Sequence, residues 1–170
     1  MPQTEVLDID GEQIMHEIIH MPSDGSCLFH CIAYCLLGRI DTVASMRVRS
    51  DVVNVVCANW PEYQHWTCNE TGENYSSIED YRNDMAQTNT YGAASELKAA
   101  ALLYRLQFEI FTRGKRIITF GQPMYPIKRI RYFGHAATGH YDVYREITDD
   151  SDDSTVIDST QIKLSKINKH

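Results

Sequence analysis

The chain has 170 residues, 43% of them apolar and 23% charged, with a formal net charge of −7. That length implies one domain with a core large enough to stand without disulfide staples, and the acidic balance argues against a nucleic-acid partner, whose phosphates call for a basic stripe. No apolar run approaches a membrane span, and the N-terminus lacks the charged start and apolar block of a signal peptide, so a soluble, cytoplasmic chain with no membrane partner is expected.

Residues 1–12 are polar and read as loosely held, with Val6, Leu7 and Ile9 as anchors. Over Ile14–Met21 the apolar positions fit a helical turn or an extended lead equally well. Asp24-Gly25-Ser26 are turn formers, and Leu28, Phe29, Ile32, Ala33, Leu36 and Leu37 recur at helical spacing before Gly38, which puts Cys27 where a turn becomes a helix. Cys31 and Cys35 share its face and read as core, because no second set of ligands has metal spacing. All five cysteines (27, 31, 35, 57 and 68) form no paired framework, which suits a reducing compartment.

A second helix follows Gly38, capped by Thr42 or Ser45, with Val48, Val52, Val55, Val56 and Asn59 on its inner face and its end at Trp60-Pro61. Residues 62–75 read as a loop. Ser76-Ser77-Ile78-Glu79 offers a capping box for a short helix to about Met85, with Ile78, Tyr81 and Met85 on one side. Strong helix formers then run from about Ala93 to Leu106. The remainder is β-rich: 108–112 turning through 113–115 into 116–120, then short extended pieces at 124–127 and 130–133. The loop 134–139 delivers His140 to a strand through Tyr144. From Thr148 the chain is dominated by Asp, Ser and Thr, then turns basic, which separates a domain at 1–147 from a flexible tail at 148–170. Helices first and a sheet after predict an α+β domain of three layers, with the helices packed around a small central sheet.

Taken alone, Cys27 reads as an ordinary buried cysteine. At a helix N-terminus, however, free N–H groups and the dipole favour a thiolate and can hold an oxyanion. His140 and Asp142, two apart on a strand, share one face while Tyr141 takes the other. Together they supply a nucleophile, a base and an orienting acid, as acyl transfer requires. His135 is a weaker rival base, with no carboxylate two positions on.

Three motifs, Asp24-Gly25-Ser26-Cys27-Leu28-Phe29, Tyr91-Gly92-Ala93-Ala94-Ser95-Glu96-Leu97 and His140-Tyr141-Asp142, resemble in order and spacing those of the ovarian tumour (OTU) domain cysteine proteases, in the papain-like superfamily. Ser26 stands where the family often has Asn, and Ala93 where it often has Gly. The resemblance implies an OTU-like domain whose Cys27 attacks, His140 acts as base and Asp142 orients it, with Asp24 shaping the turn. It further implies a deubiquitinase, cleaving after the C-terminal glycine of ubiquitin, polyubiquitin or a ubiquitin-like modifier, with no cofactor and no metal, acting as a monomer in the cytoplasm, or the host cytoplasm if viral or a bacterial effector. Gly25, Ser26, Tyr91, Gly92 and Tyr141 would bind substrate, and the 93–106 helix would pack against the one that starts at Cys27. An arginine-rich modifier tail would suit an acidic groove, for which Glu70, Glu73, Glu79, Asp80 and Asp84 are candidates. The alternative is a catalytically silent OTU-like module that binds ubiquitin or another partner; a further rival is a cysteine acyltransferase or amidase on another fold.

Overall fold

In the computed structural model, which describes residues 1–134 and 139–148, the chain opens with a β-hairpin, β1 (Thr4–Ile9) and β2 (Glu12–Ile19). Asp10 and Gly11 turn it with φ of 53° and 90°, the doubly positive pair that matches the twist of two antiparallel strands. The first residues are therefore held in a sheet, and the 14–21 segment is extended. The predicted tail, apart from Thr148, and the rival base His135 lie outside the described residues.

Helix α1 (Cys27–Leu37) ends at Gly38, whose φ of 73° closes it in the left-handed region that suits glycine. Helix α2 (Thr42–Ala58) is capped by Asp41, which accepts from the Ala44 N–H, rather than by Thr42 or Ser45, and it buries Val48, Val52, Val53 and Val56. The supposed loop after it contains α3 (Trp60–Tyr63) and a 3-10 turn at Gln64–Trp66. Ser77 caps α4 (Ile78–Met85) as its sequence implies, accepting from the Asp80 N–H; Tyr81 and Met85 point inward, whereas Ile78 is exposed. Helix α5 (Ala94–Tyr104) packs chiefly on α2, not on α1.

Strands β3 (Gln107–Thr112), β4 (Lys115–Phe120), β5 (Ile127–Phe133) and β6 (His140–Glu146) complete the fold. Of the pieces expected at 124–127 and 130–133, the first is a turn up to Pro126, and a single strand runs from Ile127 through Phe133, with Arg129 in the expected gap paired across the sheet with Glu109 (3.0 Å) and Glu146 (3.2 Å). The strand order is β1-β2-β6-β5-β3-β4, and β1 meets β4 again at the single pair Asp8↔Lys115, closing the sheet into a barrel. The layering thus differs from the three layers expected. Helices share a large core with Phe108, Ile110, Ile130, Tyr141 and Val143. The alternate residues turn the other way, where Leu7, Ile18, Phe111 and Tyr144 form a second, small core. Alternation along β6 sends Tyr141 and Val143 to the helices and Asp142 and Tyr144 to the opposite side.

Candidate active site

Cys27 is the first residue of α1, and the turn before it is built by Asp24. The Asp24 carboxylate accepts from the Ser26 N–H (2.9 Å), and its carbonyl accepts from the Cys27 N–H at a longer 3.3 Å. Its second carboxylate oxygen meets His30 Nε2 at 3.2 Å, while His30 Nδ1 reaches Ser45 Oγ at 2.7 Å. A guanidinium fixes the turn from behind. Arg49, 5% exposed, donates to the carbonyls of Met85 (3.2 Å), Gly25 (3.2 Å) and Thr88 (3.1 Å) and to Ser26 Oγ (3.0 Å). It lies over the Phe29 ring, 4.2 Å from the centroid. A buried cation is tolerated where its donors are matched by acceptors, and here the acceptors belong to the turn carrying Cys27 and to the segment between α4 and α5.

At the start of β6, the Gly139 carbonyl lies 4.0 Å from Cys27 Sγ, so the residue before His140 touches the thiol. His140 Nε2 meets Asp142 Oδ1 at 2.8 Å, leaving Nδ1 as the nitrogen free for a proton on sulfur. Phe133 packs against the imidazole, ring centroids 5.3 Å apart. Asp142 is fully buried, and Oδ1 also accepts the Met21 N–H at 2.8 Å. Oδ2 meets His20 Nδ1 at 3.0 Å and Arg131 Nη1 at 3.7 Å. The buried carboxylate thus meets donors on both oxygens, which offsets its desolvation.

The thiol departs from expectation. Burial pushes Cys27 up, not down, with the Asp24 and Asp142 carboxylates adding to it, against the backbone N–H groups of Tyr141 and Leu28. Cys27 is 1% exposed, and desolvating a thiolate costs more here than the helix terminus returns. The turn is also less open than an oxyanion hole requires, because the Ser26 and Cys27 amides both have Asp24 as partner.

A cleft of about 370 Å³ opens beside the pair, lined by His20, Met21, Ser23, Asp24, Tyr91, Phe133, His140 and Asp142. A second cavity, about 280 Å³ between Met46, Arg49, Val53, Arg82 and Met85, lies behind the turn and contains neither Cys27 nor His140 in its lining.

The family profile described as OTU-like cysteine protease matches residues 22–157, a span that holds Cys27, His140 and Asp142. The chain belongs to the OTU family. Among solved structures it is similar to the OTU domain protease of Taggert virus, at 18% identity and a TM-score of 0.63 over 86% of this chain and 87% of that one. It is also similar to the Hazara virus OTU bound to ubiquitin, at 16% and 0.58 over 79% and 83%. A third likeness is to an OTU deubiquitinase of Wolbachia pipientis wMel bound to ubiquitin, at 13% and 0.53 over 77% and 96%. These likenesses show the OTU fold.

Within the OTU fold, the residues expected to bind substrate divide. Tyr91 lines the cleft. Tyr141 does not; its ring is buried on the helix side, 4.9 Å from that of Tyr132, and its backbone N–H is turned to the thiol. Ser26 Oγ donates to the Thr88 carbonyl (2.7 Å), away from the cleft. Gly25 and Gly92 are packing glycines: a Cβ on Gly25 would sit 2.1 Å from the Asn89 carbonyl oxygen, and one on Gly92 2.9 Å from Leu28 Cδ2. Of the acidic candidates, none of Glu70, Glu73, Glu79, Asp80 and Asp84 lines the cleft, and Asp84 accepts from Tyr75 Oη at 3.0 Å. Sequence reasoning missed His20, Arg131 and Arg49. His20 ends a stretch whose helical or extended state was open, and nothing local in the sequence marks any of the three as a neighbour of this site.

Proposed function

We propose that this chain is a thiol-dependent hydrolase that cleaves the bond after the C-terminal glycine of ubiquitin or a related modifier. The observation that carries the reading is the His140–Asp142 hydrogen bond formed one residue from the carbonyl that touches Cys27 Sγ. Family membership and the ubiquitin-bound relatives support the modifier.

Because the thiol holds its proton in the free chain, His140 Nδ1 has to take that proton as sulfur attacks the glycine carbonyl carbon. Asp142 stabilises the imidazolium that results and keeps Nδ1 turned to the sulfur. The tetrahedral oxyanion is held by amides of the Asp24–Cys27 turn, released from Asp24 as charge develops. His140 then protonates the departing amine, and a water that gives its proton to Nδ1 cleaves the thioester. Asp142→Ala is expected to leave a residual rate, about 10²–10⁴ below the parent.

One observation favours the second reading, a silent ubiquitin-binding module: Cys27 is 1% exposed. Incubation with ubiquitin bearing a C-terminal alkyne separates the two. A mass shift of one modifier in the parent and none in Cys27→Ala supports hydrolysis; a complex that forms without a covalent adduct supports the module.

A further inference from the structure

Asp142 is held by more than the imidazole it orients. Oδ1 takes both His140 Nε2 and the Met21 N–H, at 2.8 Å each. Oδ2 lies 3.0 Å from His20 Nδ1, and His20 Nε2 lies 2.6 Å from Gln3 Oε1. The carboxylate thus sits between two imidazoles, one exposed at the cleft and tied to the first residues of the chain.

We infer that His20 is a positioning residue of this site: its Nδ1–H holds Asp142 Oδ2, fixing the rotation of the carboxylate and hence the aim of His140. The inference rests on the hydrolytic reading. A carboxylate has about four lone-pair positions, and without His20, Oδ2 has Arg131 Nη1 at 3.7 Å, beyond hydrogen-bond reach. Arg131 is itself engaged by Glu5 (3.4 Å) and stacked on Phe133, so it is poorly free to close the gap. The charged and titratable groups facing this pair are His140 and Tyr144 on β6, Arg131 on β5 with Glu5 of β1 behind it, and Asp24, Cys27 and Cys31 at the start of α1. Gln3, on the far side of His20, is neutral.

The test uses the full chain with His20→Ala and His20→Asn, whose amide N–H can take the place of Nδ1–H. Two readouts are taken: the pH profile of Cys27 alkylation by iodoacetamide, which needs no modifier, and kcat and KM on ubiquitin carrying a C-terminal fluorogenic amide. In His20→Ala the pH profile of Cys27 alkylation should change, and kcat should fall about 3–10-fold with KM little changed, the loss of one hydrogen bond. His20→Asn should restore most of kcat. An unchanged profile in folded His20→Ala overturns the inference, and so does a loss of rate matched by a loss of folded protein. If the parent cleaves no modifier the functional reading fails, and the alkylation profile then decides His20 by itself.

Discussion

Replacing Arg49 by Met keeps most of the stem that lies on Phe29 and removes the guanidinium. The buried Met85 and Gly25 carbonyls each lose a charged donor, a bond that contributes about 1.5–3 kcal/mol, so about 3–6 kcal/mol is lost from these two. The desolvation of the cation, which pulls its own pKa down, is recovered on deletion and offsets part of that. A net destabilisation of about 3 kcal/mol is expected, a drop in Tm of about 6–12 °C for a domain of this size. Arg49→Lys should fall between, because one ammonium cannot reach acceptors spread over Gly25, Ser26, Met85 and Thr88. Urea unfolding followed by circular dichroism measures it. An Arg49→Met midpoint equal to the parent, with the same m-value, would show that desolvation cancels the bonds and that Arg49 does not hold the turn.

The two packing glycines should respond differently. Gly92→Ala meets side-chain carbons of Leu28 and Phe29 at 2.9–3.2 Å, which can shift, at about 1–3 kcal/mol. Gly25→Ala meets the Asn89 backbone at 2.1 Å, so the Cys27 turn itself must move, and alkylation of Cys27 should change even where the chain stays folded; equal effects in the two variants would refute the distinction. Glu96 tests pH dependence. Burial raises its carboxyl above the ordinary 4.5, against bonds from Ser95, the Ala93 N–H and Tyr81. The folded state therefore binds that proton more tightly than the unfolded chain, and the resulting stability is present below about pH 4.5 and lost as pH rises through the folded value. The advantage of the parent over Glu96→Gln should be larger at pH 4.5 than at pH 8, and a difference that does not vary with pH would refute it.

The parts of the fold legible in the sequence are those set by local chemistry. Asp24-Gly25-Ser26 before an apolar helical repeat marks the Cys27 turn, Ser77 marks the α4 cap, and the period of two along β6 places Asp142 with His140. The hairpin was missed even though Asp10-Gly11 is a strong turn signal, because its flanks read as polar. Only Leu7 and Ile18 join the inner core fully, and β2 gains its second partner from β6, far along the chain. The thiol failed for the same reason. A helix terminus is visible at Cys27, and so is Asp24 three residues before it, whereas the extent of burial and the Asp142 carboxylate that add to its effect come from contacts no local window contains. Arg49 lies at helical spacing with the buried Val52, Val53 and Val56, but the carbonyls of Gly25, Met85 and Thr88 that take its donors come from other segments of the chain.

The pairing of β2 with β6, His16↔Glu146 through Ile19↔Val143, has a consequence for how the protein comes into being. Cys27 and its turn emerge early in synthesis, yet His140 and Asp142 are among the last described residues, and His20 and Met21, which bind Asp142, lie just after β2. Closing so long a loop is among the slower and costlier steps of folding. In the proposed mechanism, a growing chain, or one cut short before β6, carries its sulfur without His140 and Asp142. The parts of the proposed site are thus brought together only when β6 pairs with the N-terminal hairpin.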